Sequence, residues 1–220
     1  MGMAVDVRNR IAKRAAKEID DGLIVNLGIG IPTLVADHIP DTFHVLFHAE
    51  NGVLGTGPMP DPGQEDAALC NAGGFPITTV SGASYFDSAT AFGMIRKGYI
   101  DITILGALEV SETGDLANWI VPGKKVPGMG GAMELAQKAK KVIVLMNHVN
   151  KHGESKILKT CTLPLTARQS VNLIITEMAV MEVTNEGLVL KEVMAPYTVA
   201  DVIANTEATL KIHAAVSVIE

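Results

Sequence analysis

Short apolar runs alternate with helical segments bounded by glycine or proline, and this alternation restricts the possible folds more than any other feature of the chain. Residues 23–27 form an apolar run that enters GIGIPT, where Pro32 suits the first turn of a short helix reaching His38. After Pro40, residues 43–48 predict a strand that ends immediately before Glu50. The pattern returns as a helix over 85–97 closed by Gly98, a strand over 100–105, a helix over 132–140 and a strand over 142–146. It predicts an α/β fold with an open, mostly parallel or mixed sheet and helices on both faces, because strands this apolar need cover on both sides.

The two ends extend this frame. Residues 5–21 place Val7, Ile11, Ala15 and Ile19 near one helical face, with Arg10, Arg14 and Lys17 outside and Gly22 as the stop. Residues 172–176, 180–183 and 188–193 predict strands, followed by a helix after Thr198 in which Asp201 completes a capping box. Residues 56–74 are rich in Gly, Pro and Asp and predict a long ordered loop near the functional face. No repeat or composition break demands a linker, so residues 1–220 are expected to form one domain.

Composition narrows the function classes. Hydrophobic residues at 48% and charged residues at 19% supply a core and argue against disorder. Aromatic residues at 4% and a net charge of -6 leave neither stacking platforms nor a basic stripe, so no nucleic-acid partner is expected. No stretch reaches the roughly 20 apolar residues of a membrane span, and residues 1–20 mix Arg, Lys, Asp and Glu, so neither a membrane nor a secretory route is expected. Cys70 and Cys161 lie far apart without a CxxC or His ligand pattern; they read as reduced thiols of a cytoplasmic protein rather than a zinc or redox site.

Two segments bear chemistry. In HAENGVLGTGP an apolar strand delivers Glu50 into a glycine-containing turn, which can make a carboxylate both rigid and reachable. Residue type alone still favours a solvated turn residue there. In VPGKKVPGMGGAMELA, Gly128, Gly130 and Gly131 precede a helix whose first amides could hold a carboxylate or a developing oxyanion. A flexible helix start is an equal reading, since GMGG has neither the P-loop lysine nor the GxGxxG spacing. Gly28 and Gly30 of GIGIP could let backbone approach a ligand, but a tight strand-to-helix connection is the simpler reading. His44 and His48 are too far apart on a strand to share a metal, and no metal site is expected. His148 and His152 read as solvated loop residues, Trp119 as packing or a substrate wall, and Ser81 and Ser84 lack the GxSxG elbow.

NLGIGIPT, AENGVLGTGP, NAGG, YFDSATAF, GDLANWIVPGK, GMGGAMELA and CTLPLTA occur here in the order found in β subunits of the family I CoA transferases, and the chain resembles that family over nearly its whole length. The likeness is to acetate or acetoacetate CoA-transferases and succinyl-CoA:3-ketoacid CoA-transferases. It implies that Glu50 of the ENG segment is the covalent nucleophile, that Asn51 and Gly52 shape its turn, and that the loop at Gly130 and Gly131 approaches the reacting carboxylate. Ala49 stands where many relatives have serine. The resemblance also implies an α subunit in an α2β2 assembly, acyl-CoA and short-chain carboxylic or 3-oxoacid substrates, and no cofactor, CoA being a substrate and transient covalent passenger. Within the family, 3-oxoadipate transfer is the alternative; outside it, a sugar-phosphate isomerase-like enzyme or a noncatalytic CoA-binding partner.

Overall fold

A computed structural model describes residues 5–123, 126 and 128–219; Lys124, Lys125 and Pro127 of the second glycine segment lie outside the described residues. The chain opens with α1 (Val5–Ala16), which buries Ile11, Ala12, Ala15 and Ala16 on one face. This helix is shorter than the sequence pattern predicts. The amides of Lys17, Glu18 and Ile19 each bond three residues back rather than four, which tightens the chain into turns before Gly22 at φ 81°, while Ile19 stays buried.

The next elements are β1 (Ile24–Leu27), a 3-10 helix (Ile31–His38), β2 (Leu46–Ala49), β3 (Val53–Thr56), β4 (Thr79–Tyr85) and α2 (Ser88–Arg96). They are followed by β5 (Ile102–Gly106), β6 (Glu109–Ser111), β7 (Leu116–Ala117), α3 (Ala132–Lys138), β8 (Lys141–Leu145) and β9 (Ile157–Leu158). The last are β10 (Leu173–Ile175), β11 (Ala179–Thr184), β12 (Gly187–Met194), α4 (Val199–Ala204) and β13 (Leu210–Ile219). A ten-stranded sheet runs β13-β12-β11-β10-β8-β5-β1-β2-β3-β4, and a three-stranded sheet runs β7-β6-β9. In the large sheet β2, β1, β5, β8 and β10 are mutually parallel, with antiparallel pairings beyond them on both sides and a parallel β12–β13 pair at one edge.

Side-chain alternation divides the core between the two faces. Ile143 and Leu145 of β8 pack with Ile11 and Ala15 of α1, whereas Val142 and Val144 join Ala136 of α3 and Val202 of α4. The 3-10 helix shares the α1 face through Val35, and α2 packs beside α3 through Ile95 and Leu135. Helices therefore cover both faces, and β8 reads as one apolar run because both of its faces are buried. Arg14 ties α1 to β12 on the same face of the sheet with paired contacts of 2.6 and 2.9 Å to Glu192, and Lys141 reaches Glu18 at 2.7 Å.

The sequence pattern does not predict β3, β4 and β13. β4 is a polar edge strand, TVSGASY, and β13 alternates weakly because it too lies at an edge with most side chains exposed. The capping box of α4 is present, with Thr198 accepting from the Asp201 amide and Asp201 accepting from the Thr198 amide.

From β1 the chain crosses to β2 on one side, while from β5 it crosses to β8 on the other. Opposite crossings open a crevice beyond the carboxyl ends of the parallel strands, which is where open α/β sheets place their sites.

Candidate active site

Glu50 stands at the edge of that crevice. Ala49 and Val53 face each other as an antiparallel pair, so Glu50, Asn51 and Gly52 form a three-residue hairpin loop between β2 and β3. The Gly52 amide donates to Ala49 O at 3.0 Å, and the Phe86 amide donates to Gly52 O at 3.0 Å, which sews the loop to the segment entering α2. Gly52 is required here on two counts: its φ is 124°, and a Cβ would lie 2.1 Å from Phe86 O.

Beneath the loop lies a row of buried polar side chains on neighbouring strands. Asn26 of β1 is in register with His48 of β2 on one side and Thr103 of β5 on the other. Registered partners on adjacent strands direct their side chains to the same face. Asn26 Nδ2 donates to Glu50 Oε2 at 3.0 Å and to His48 O at 3.0 Å, and Thr103 Oγ1 donates to Asn26 Oδ1 at 3.3 Å. Asn26 is 1% exposed and Thr103 is fully buried. The His48 ring is buried and stacked on Phe86 with centroids 6.3 Å apart. Burial holds its pKa below the ordinary value, with the charge of Glu50 pulling the other way.

Gly131 closes the opposite side. A Cβ there would meet Glu50 Oε1 at 3.3 Å and Glu50 Cγ at 3.4 Å. One carboxylate oxygen is thus anchored on a buried amide, and the other faces backbone that carries no side chain. Because Gly131 has φ −79° and ψ −5°, alanine fits the backbone without strain. Gly131→Ala is expected to leave stability within about 0.5 kcal/mol of wild type and to lower kcat about tenfold by crowding the carboxylate. Paired unfolding and steady-state measurements check this, and equal losses in both would refute the crowding account.

The other residues singled out from sequence fall into distinct places. Gly130 has φ 56° with open space around its Cβ position, consistent with a turn into α3 rather than a close contact. Asn51 is exposed and donates to Cys70 O at 2.8 Å, so it pins the long loop and makes no bond to the Glu50 carboxylate. Gly28 donates its amide to Ile104 O at 2.8 Å, and a Cβ would approach that oxygen to 3.1 Å. It permits close approach of β1 to β5, which is the tight-connection reading. Gly30, at φ 97° with nothing within 4 Å of its Cβ position, starts the 3-10 helix.

His148 is a correction. Far from being solvated, it is 0% exposed, with Nδ1 3.0 Å from Thr176 Oγ1 and Nε2 2.8 Å from Thr206 Oγ1. The reason is tertiary: the turn after β8 is roofed by the β10–β11 turn and by the residues after α4. Burial pulls its pKa down to about 4. The unfolded chain then binds this proton more readily than the native one between the ordinary value of about 6.5 and about 4, so stability falls as pH drops through that window. Relative to His148→Gln, the wild type is expected to lose about 2 kcal/mol more between pH 7.5 and pH 5 in urea titrations. A variant with the same acid sensitivity would refute the assignment. His152, by contrast, is exposed as expected.

Asn26 and Thr103 are functional candidates that the sequence reading passes over, although a signal exists: each is a polar residue inside an otherwise apolar strand. Cys70 and Cys161 are free thiols, and burial pushes Cys161 up to about 12, which keeps it protonated. Among the described residues, no group of three or more His, Cys, Asp or Glu could hold a metal ion, and no helix is long and apolar enough to cross a membrane.

Comparison with known proteins supplies the family. The chain is 61% identical over 212 residues to the β subunit of a probable coenzyme A transferase of Bacillus subtilis, covering 96% of this chain and 98% of that protein. It is 56% identical over 211 residues to a subunit of a probable succinyl-CoA:3-ketoacid coenzyme A transferase of the same organism, covering 96% and 98%. It is 47% identical over 210 residues to the β subunit of the acetate CoA-transferase of Escherichia coli, covering 96% of each. Among solved structures it resembles an acyl-CoA transferase from E. coli O157:H7 in a thioester complex with CoA, with TM-score 0.74 at 19% identity, and spans 97% of this chain but 43% of that one. The decarboxylase AibA/AibB has nearly the same fold, with TM-score 0.73 at 22% identity over 99% of this chain and 90% of that one. Fold likeness at this identity therefore leaves the chemistry open, but the Coenzyme A transferase family model matches residues 8–205, and with relatives this close over nearly their full length, the chain belongs to the coenzyme A transferase family.

Proposed function

We propose that this chain is the catalytic β subunit of a two-subunit enzyme that moves CoA between a short-chain acyl-CoA and a carboxylic acid, with Glu50 as the nucleophile. The observation that carries the reading is the asymmetric setting of the Glu50 carboxylate, with Oε2 anchored by Asn26 and Oε1 lying against Gly131. The acceptor class is a 3-oxoacid such as acetoacetate, a choice supported by relatives named for succinyl-CoA:3-ketoacid and acetate transfer.

Glu50 attacks the acyl-CoA carbonyl and expels CoA thiolate, leaving an acyl-glutamyl anhydride. The thiolate attacks the glutamyl carbon, and the donor leaves as its carboxylate. The acceptor carboxylate then attacks the glutamyl thioester, CoA departs as thiolate, and its attack on the acceptor's acyl carbon restores Glu50. The tetrahedral state at the donor acyl carbon puts negative charge on the donor oxygen beside Oε1, where the Gly131 backbone is the candidate source of a stabilising amide, while the states at the glutamyl carbon put it on Oε2, which Asn26 Nδ2 holds. CoA serves as substrate and transient covalent passenger, so the cycle needs no metal or other cofactor.

An α subunit completes the site in this reading, in an α2β2 complex of the cytoplasm. It is supported by relatives named as β subunits and by the exposed Ile29 and Phe75, which both border Gly73 beside the crevice. The test is intact mass of the coexpressed α/β complex after acyl-CoA treatment, with and without borohydride. A CoA adduct on this chain, lost on reduction and mapped to the Glu50 peptide, is the expected result. An active complex that forms no adduct would sink the proposal.

A further inference from the structure

We infer that Thr103 and Asn26 form a positioning pair that gives the two carboxylate oxygens of Glu50 different fates, Oε2 remaining with the protein through every turnover while Oε1 is exchanged with substrate. This inference rests on Glu50 being the nucleophile.

The polarity of the row is fully determined by its chemistry. His48 O and the Glu50 carboxylate are both acceptors, and each lies 3.0 Å from Asn26 Nδ2. An amide turned over would set its oxygen against both, so the NH2 group must face them. Asn26 Oδ1 consequently faces Thr103, whose hydroxyl donates to it at 3.3 Å. Buried at 1% and 0% exposure, the pair has little room to reorient, and successive bonds in one direction polarise each other. The doubly held Nδ2 anchors Oε2 on the buried side. Oε1 receives no hydrogen bond from the described residues and lies against Gly131, on the side where the first amides of the helix start are found.

The consequence can be followed atom by atom. In the first half-reaction Oε1 bonds to the donor acyl carbon and the carbon–sulfur bond of the donor breaks. When the thiolate attacks the glutamyl carbon, the bond from that carbon to Oε1 breaks and Oε1 leaves in the donor carboxylate. The glutamyl thioester retains Oε2 as its carbonyl oxygen. The acceptor's carboxylate oxygen then bonds to the glutamyl carbon as the thiolate departs, and it stays on Glu50 when the thiolate takes the acceptor's acyl group. Each complete transfer replaces one carboxylate oxygen. If the carboxylate is held between turnovers, it is always the same one.

The count of exchanged oxygens reads this directly. The α/β complex would be cycled through many turnovers with acyl-CoA and an excess of acceptor acid carrying oxygen-18 at both carboxylate positions, then quenched and digested, and the Glu50 peptide weighed. Wild type is expected to gain one oxygen-18 and no more. Thr103→Val, which keeps the shape of the side chain but removes the donor, is expected to gain two. It should also lose about tenfold in kcat with KM for acyl-CoA unchanged. Thr103→Ser, which restores the hydroxyl, should return to one label and near-normal kcat.

Two labels in wild type would overturn the inference while leaving the nucleophile reading intact. No label despite turnover would overturn the nucleophile reading itself. A folded Thr103→Val complex with one label and wild-type kcat would remove Thr103 from the device.

Discussion

Replacing Glu50 with Gln is expected to lower transferase turnover on the order of 10⁵-fold while the α/β complex remains assembled. The substitution is nearly isosteric, and its amide oxygen can still accept from Asn26 Nδ2, so the hairpin and the row beneath it have no reason to move. What is lost is the oxygen nucleophile: an amide neither attacks a thioester well nor yields an anhydride that returns the acyl group. The check combines kcat with intact mass and thermal unfolding. A complex within tenfold of wild-type kcat, or one that still accumulates a CoA adduct, would place the nucleophile elsewhere.

Gly52→Ala is expected to cause the second-largest effect, and to act on stability and turnover together. The added Cβ would sit 2.1 Å from Phe86 O and 3.3 Å from Phe86 C, both backbone atoms, at a φ of 124° that alanine disfavours. Phe86 cannot yield freely, because its amide bonds Gly52 O and the next residue, Asp87, caps α2 through the Thr90 amide. A loss of about 3 kcal/mol or more in urea unfolding is expected. Displacing the three-residue loop also moves Glu50 off Asn26, and a misplacement of about 1 Å is worth roughly 10²-fold in rate. Gly130→Ala is the internal comparison: its φ of 56° strains an alanine, but nothing lies within 4 Å of the Cβ, so only about 1 kcal/mol is at stake. Equal effects of the two substitutions would show that the contact with Phe86 O is not what makes Gly52 necessary.

These expectations depend on different levels of organisation, which is also why the fold likeness to a decarboxylase is informative. Two enzymes can share a fold and differ in the side chains that carry their chemistry. The coenzyme A transferase family match spans residues 8–205, and the segments that build this crevice, ENG and GMGG among them, lie within it.

Much of this was legible in the sequence. The α/β alternation, the strand ending at Ala49, the glycine turn carrying Glu50 and the Thr198–Asp201 cap are local patterns: the spacing of apolar side chains and the backbone freedom of glycine set them within a few residues. The shortened α1, the polar edge strand β4 and the exposed β13 were not legible, since an edge strand has no second buried face to impose alternation. The approach of the Gly131 loop to Glu50 was implied by the family resemblance, but tertiary structure alone decided that Asn26 and Thr103 lie beneath Glu50, that His148 is buried, and that Asn51 turns to the Cys70 loop. The physical reason is that such meetings follow from strand order and register: β1 lies between β2 and β5, so residues distant along the chain become lateral neighbours, and no periodicity within one segment records which segment will lie beside it.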